Sequence, residues 1–174
     1  MLRAVVNKFS KRFRFGLYEA NRITVIVFTV ISIILGIISA VLSRSNFMFY
    51  ICQRPSFCLP MIPLVMLITI SYVCIGASAG IVFSNHDCAR ETIKYKATLV
   101  FVVMMIFNFI WAPIFFLTCN IFVALIDIFI TLFFSILLFV YQRAINFSAA
   151  FLCGVYLLIL LYLTYLNFGF WILN

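Results

Sequence analysis

The chain has 174 residues, 67% of them hydrophobic and only 9% charged, with a formal net charge of +8 and a mean hydropathy of +1.28. A soluble core of this size cannot hide so much apolar surface, so lipid must be the main solvent. The length suits one domain, and the basic residues border apolar runs, which makes nucleic acid a poor partner and leaves a multi-pass protein of the bilayer.

Residues 1–22 read as a basic N-terminal arm. In "FSKRFRFGLYEANR", Phe9, Phe13 and Phe15 alternate with charges, which suits a helix lying at the membrane interface, the alternative being a disordered tail. Residues 23–174 read as an all-α membrane protein, a five transmembrane helix bundle. Ile23–Ser43 and Leu59–Phe83 carry no charge, Ala97–Gln142 carries only Asp127, and the chain after Ala144 carries none. A spanning helix needs about 20 apolar residues. The run from Ala97 holds two such helices, with Pro113 and Thr118-Cys119-Asn120 marking the turn between them. The expected spans are about 23–43, 59–83, 97–117, 120–142 and 148–171. The runs lack the alternation that barrel strands would show. Span one is too long for the apolar region of a signal peptide and reads as an uncleaved anchor.

Charge placement sets the expected orientation. With five spans, ten of the twelve Lys and Arg residues fall on the side of the N-terminus, and only Arg44 and Arg54 on the other. The positive-inside rule then puts the N-terminus in the cytoplasm of a bacterial cell membrane and the C-terminus outside. A mitochondrial outer membrane is the alternative, since the basic, acid-poor N-terminus also mimics a presequence. The same charges suit anionic headgroups. Of six cysteines, none falls in a C-x-x-C pair. Cys52 and Cys58 share one loop, either as a pair in an oxidising compartment or as free thiols. Cys74, Cys119 and Cys153 read as small hydrophobes. His86, Asp87 and Cys88 are adjacent in sequence and read as a polar loop rather than a metal site.

Several residues are unexpected in hydrocarbon. Span three carries Met104, Asn108, Trp111 and Phe115 on one helix face. Span four carries Asp127, and span five carries Thr164, Asn167 and Trp171 on one face. Polar groups in hydrocarbon are costly and turn inward, toward helix partners or a cavity. Pro113 removes a helical N–H and frees a carbonyl near the exit of span three. Gly36-x-x-x-Ala40 and Gly76-x-x-x-Gly80 allow close helix approach, within the bundle or between protomers. The loop from Arg44 to Leu59 is aromatic and is expected to fold over the bundle mouth, to join an interfacial aromatic belt, or both.

These residues resemble the TspO/translocator protein family, the tryptophan-rich sensory proteins also called peripheral benzodiazepine receptors. "RPSFCLPMIPLVMLITISYVCIGASAG" is similar to that family's K-P-x-W-x-P-P loop and W-T-x-L-Y-x-x-M-G helix end through Arg54, Pro55, Phe57, Pro60, Thr69, Tyr72 and Gly76. "FNFIWAPIFF" is similar to L-N-x-x-W-x-P-x-F-F through Asn108, Trp111, Pro113, Phe115 and Phe116, and "ALIDIFI" to the A-L-x-D that follows. "YLNFGFWILN" resembles the closing L-N-x-x-x-W-R-L-N through Leu166, Asn167, Leu173 and Asn174. The likeness covers residues 23–174.

The resemblance implies a five-helix protein, often a homodimer, that binds porphyrins or other tetrapyrroles, with a transport or regulatory role and no cofactor of its own. The ligand residues it implies are Arg54, Phe57, Tyr72, Asn108, Trp111 and Asn167. Some relatives are reported to degrade porphyrins through a tryptophan, but the helix-two and helix-five tryptophans fall here on Ile68 and Ile159. No Ser-His-Asp set is present, so the chain reads as a non-enzyme. Further departures place Met104 where the family has glutamine, Val155 where helix five opens on proline, and Tyr162 and Leu163 where it has small residues. A bundle with a degenerate pocket, serving a structural or partner-binding role, is the other reading.

Overall fold

In a computed structural model, the described residues are 20–43, 52–85 and 91–174, with Ser10, Lys11 and Phe13. They form five long helices: α1 (Arg22–Leu42), α2 (Met61–Phe83), α3 (Glu91–Phe116), α4 (Ile121–Ile145) and α5 (Phe147–Leu173). Each is long and apolar enough to cross a membrane, and no strand occurs among the described residues. The expected five-helix bundle is therefore the fold. His86, Asp87 and Cys88 lie outside the described residues, as do Phe47, Phe49 and Tyr50.

Local chemistry sets the helix ends. Asn21, Asn120 and Asn146 cap α1, α4 and α5, their side-chain oxygens accepting from Ile23 N–H (3.0 Å), Val123 N–H (3.2 Å) and Ser148 N–H (2.8 Å). Asn146 also donates its own N–H to Gln142 O, so one residue closes α4 and opens α5. α2 begins after Pro60, and Pro63 falls in its first turn, where a missing N–H costs nothing. α3 begins at Glu91, well before the apolar run, because Lys94 and Lys96 extend the helix beyond the hydrocarbon. Pro113 does not end α3, which continues to Phe116. The turn follows at residues 117–120, with Cys119 at a φ of 54°.

The helices form a closed ring in the order α1, α2, α5, α4, α3, each packing on its neighbours. α2 and α5 are the central pair, each with half of its apolar window buried, against 11% for α1. α1 is held to α2 by small residues. A Cβ on Gly76 would stand 2.8 Å from Thr29 Cα, and one on Gly80 would stand 2.6 Å from Val25 Cα. The small-residue motif of α2 thus serves packing inside the bundle. Higher up, at Gly36, the Tyr72 ring stands between the two helices.

At the end of the bundle that carries the N-terminus, the Ser148 hydroxyl donates to Phe13 O at 2.7 Å, and the Phe13 ring meets Phe151 edge-on at 5.4 Å. At the opposite end, the loop before α2 lies on the last turns of α5. Tyr162 donates to Phe57 O (3.0 Å) and accepts from Leu59 N–H (3.1 Å). Tyr165 donates to Ser56 O at 2.6 Å. The Asn174 side chain accepts from Gln53 N–H (2.8 Å) and donates to Gln53 O (3.1 Å). Pro55 is buried against Gly169, where any Cβ would come within 2.5 Å of the proline ring.

Candidate functional site

A cavity of about 450 Å³ lies between α1, α2, α3 and α5 in the half of the bundle nearest that loop. α1 contributes Ile33, Gly36, Ile37, Ser39, Ala40 and Val41, and Ser43 just beyond it; α2 contributes Met61, Leu64, Val65, Ile68, Thr69, Ser71 and Tyr72. α3 supplies Asn108, Trp111, Ala112 and Phe116, and α5 supplies Tyr156, Leu160 and Leu163. Among the described residues, no charged one lines it. Four aromatic rings and a largely aliphatic remainder make a wall for a hydrophobic guest.

The polar groups of the wall are engaged with one another or with helix carbonyls. Asn108 Nδ2 donates to the Tyr156 hydroxyl at 3.0 Å, and the Tyr72 hydroxyl reaches Asn108 O at 3.4 Å. Pro113 leaves the carbonyl of Phe109, four residues earlier, without its helical donor. Ser39 Oγ supplies the donor at 2.7 Å, pinning α1 to α3 across the cavity wall. The hydroxyls of Thr69, Ser71 and Ser43 return to carbonyls of their own helices. Trp111 stacks on Phe115 (5.5 Å, 21°) and meets Phe116 edge-on, while Phe115 meets Phe170 of α5 at 5.6 Å. Its Nε1 is buried without a hydrogen-bond partner among the described residues.

Of the six residues expected to bind ligand, the cavity gathers Tyr72, Asn108 and Trp111. Asn167 is buried on α5 beyond the lining, and neither end of its amide has a partner among the described residues. Arg54 and Phe57 are on the loop, outside the lining. Phe57 is 89% exposed at a φ of 60°, because the bonds from Tyr162 and Tyr165 hold the loop by its backbone and turn this ring outward. Arg54 is exposed, its charge near the Cys58 thiol. Thr164 is buried, but Trp171 is 43% exposed beside Phe122 and Phe168, as an interfacial indole would be. Asp127 is buried on α4 outside the cavity, with Oδ2 unpartnered among the described residues.

Among the departures, Ile68 and Leu163 line the cavity, whereas Met104, Val155 and Ile159 do not. Tyr162 adds no bulk to the cavity, since its hydroxyl is spent on the loop. No disulfide joins Cys52 to Cys58, and Cys58, Cys74, Cys119 and Cys153 are free thiols. Burial raises the pKa of Cys52, with a further push from Cys119, and burial raises that of Cys58 against a smaller opposing pull from Arg54.

Sequence reasoning missed the contribution of α1. Ser32, Gly36, Ser39 and Ser43 repeat every four, three and four residues, a stripe of small polar residues in an otherwise aliphatic span, and that signal was present. Tyr156 lies three helical turns before Asn167 and was legible in the same way.

The sequence model of the TspO/MBR family matches residues 25–172. The chain belongs to the TspO/MBR family. As a TspO/MBR protein it is a multi-pass integral membrane bundle, and the matched region contains all four cavity-forming helices nearly entire. No curated protein matches the chain.

Proposed function

We propose that this TspO/MBR protein binds a hydrophobic small molecule of the tetrapyrrole class in the cavity between α1, α2, α3 and α5. The observation that carries the reading is the cavity itself, about 450 Å³ lined by Tyr72, Trp111, Phe116 and Tyr156. Ligand sites are typically about 300–1,000 Å³, mostly apolar, with a few placed polar groups. A collapsed, purely structural bundle would leave no such space, so the volume favours a binding protein. Tyr72 and Trp111 act as walls, and the Asn108–Tyr156 pair sets a polar strip on the floor. Transport or regulation would follow from what the occupied protein passes to or contacts.

The test uses the fact that the chain has only two tryptophans. With Trp171→Phe, Trp111 is the sole indole reporter. Titration of protoporphyrin into this variant in lipid nanodiscs is expected to quench Trp111 saturably, and Leu163→Trp, which fills the cavity from α5, to abolish binding of the pigment as read by its own absorbance. A wild-type protein that gives no saturable signal overturns the reading. The orientation follows from charge: ten Lys and Arg on the N-terminal side against two on the other support a cytoplasmic N-terminus. A reporter fused after Asn174 that reads cytoplasmic would reverse it.

A further inference from the structure

We infer that the cavity is loaded from the bilayer through a slot between α1 and α2, by an uncharged molecule dissolved among the acyl chains. The inference rests on the binding function just proposed. It starts from which lining residues also face outward. Ile37, Ala40 and Val41 of α1 and Met61, Val65 and Thr69 of α2 are exposed as well as lining. None of the lining residues on α3 or α5 is exposed. Among the described residues, the open side of the cavity is therefore the α1–α2 seam.

The packing of that seam explains the opening. Toward the N-terminal end, Gly80 and Gly76 bring the two backbones into direct contact at Val25 and Thr29. At Gly36 a whole tyrosine ring separates them. Beyond Gly36 no glycine of either helix draws them together, and residues of both helices there line the cavity. Ile33 to Ser43 covers about 15 Å of helix rise, roughly half of a hydrocarbon core about 30 Å thick. The slot thus faces acyl chains.

The α3 and α5 sides are held by bonds among the described residues. Ser39 pins α1 to the Phe109 carbonyl of α3. On the α5 side, the loop segment from Gln53 to Leu59 is bonded to Tyr162, Tyr165 and Asn174 and wedged by Pro55 against Gly169. Among the described residues the lining carries no charge, so an uncharged molecule passes from acyl chains to the cavity without exchanging a solvation shell. A carboxylate making the same move loses its water and meets no cation among the described lining residues.

The experiment measures rates in nanodiscs by quenching of Trp111 in the Trp171→Phe background. The probes are protoporphyrin dimethyl ester, which is uncharged, and the free diacid. Ala40→Phe and, independently, Thr69→Phe place a ring in the slot. Each is expected to slow both association and dissociation of the ester by about tenfold, because an obstructed route raises a barrier common to the two directions, and Kd is measured alongside because both residues also line the cavity. Tyr162→Phe with Tyr165→Phe loosens the loop and is expected to leave both rates unaltered. In the unmodified protein the ester is expected to load faster than the diacid. Equal or faster loading of the diacid, or rates indifferent to both slot variants but raised by the loop variant, would overturn the inference and place the entrance at the aqueous end. Absence of equilibrium binding by either probe is a different result, which defeats the binding function itself.

Discussion

Removing the Ser39 hydroxyl tests the account of Pro113 directly. Ser39 is 1% exposed and donates at 2.7 Å to Phe109 O, the carbonyl that Pro113 cannot pair. An unsatisfied buried carbonyl costs about 1–3 kcal/mol in soluble proteins. Side-chain hydrogen bonds inside membrane proteins average about 0.6 kcal/mol and reach about 1.7. The lower scale arises because the unfolded helix in the membrane also finds partners. Ser39 lines a cavity large enough to admit water, which compensates further. The expected cost of Ser39→Ala is therefore about 1 kcal/mol. That amounts to a fall of about 2–4 °C in Tm for a chain of this size, on the scale for soluble domains.

The decisive measurement is a cycle with Pro113→Ala. Alanine restores the N–H at position 113, which then pairs with Phe109 O inside the helix and makes the serine redundant. In that background Ser39→Ala is expected to cost near zero, giving a coupling of about 1 kcal/mol. Equal losses of stability from Ser39→Ala in the two backgrounds, measured by reversible unfolding in mixed micelles, would refute the reasoning. The proline would then have to be explained by chain direction alone.

Gly80→Ala is expected to destabilise although alanine gains about 1 kcal/mol of helix propensity over glycine, because its Cβ would lie 2.6 Å from Val25 Cα; Gly154→Ala, whose nearest neighbour is 3.5 Å away, should be neutral or stabilising in the same thermal assay. Asp127→Asn keeps the shape and removes a buried carboxylate whose Oδ2 has no partner among the described residues; Tm should hold or rise, and a drop of several degrees would mean that the charge is paired. The raised thiol pKa values of Cys52 and Cys58 predict slow maleimide labelling at neutral pH. Labelling should accelerate about tenfold per pH unit while pH stays below those pKa values, and for the same reason any contribution of the protonated thiols to stability is present below the ordinary cysteine pKa, about 8.5, and fades as pH rises through the folded one.

The bundle was legible because hydrocarbon permits few solutions: uncharged runs of the right length become helices, whatever their detailed order. Asn108 and Trp111 were legible as cavity residues because polar and aromatic groups inside a span turn inward, whereas Tyr72 was legible only through the family resemblance. Arg54 and Phe57 show where that logic stops. They sit on a loop, and a loop's side-chain directions depend on tertiary hydrogen bonds that no local pattern encodes. Tyr162 is the clearest instance. As a bulky residue on α5 it reads as an obstruction to ligand, yet its hydroxyl finds two backbone partners in a segment more than 100 residues earlier. Pro113 was legible as freeing a carbonyl, but the acceptor role of that carbonyl toward Ser39 depended on which helix the ring closure places beside α3.

The same distinction revises what the missing tryptophans should do to binding. Two family indole positions fall on Ile68 and Ile159, but only Ile68 lines the cavity, while Ile159 is buried elsewhere in the core. An aromatic contact is worth about 0.5–1.5 kcal/mol beyond its buried area, so restoring one indole at the wall is expected to tighten tetrapyrrole binding by up to about tenfold. Ile159→Trp instead overpacks a filled region, at a cost to stability of about 1–3 kcal/mol and with no gain in affinity. Leu163→Ala relieves the wall from the α5 side and enlarges the space, though truncating a buried leucine costs about 2–5 kcal/mol of stability, so affinity and Tm must be measured separately for each single variant before Ile68→Trp and Leu163→Ala are combined. Protoporphyrin titration of the three single variants in nanodiscs decides the matter. Tightening by Ile68→Trp alone places the ligand against α2 in the slot-bearing half of the cavity. Tightening by Ile159→Trp to the same degree would mean that the ligand reaches the α5 core beyond the cavity lining, and that the cavity is its entrance rather than its seat.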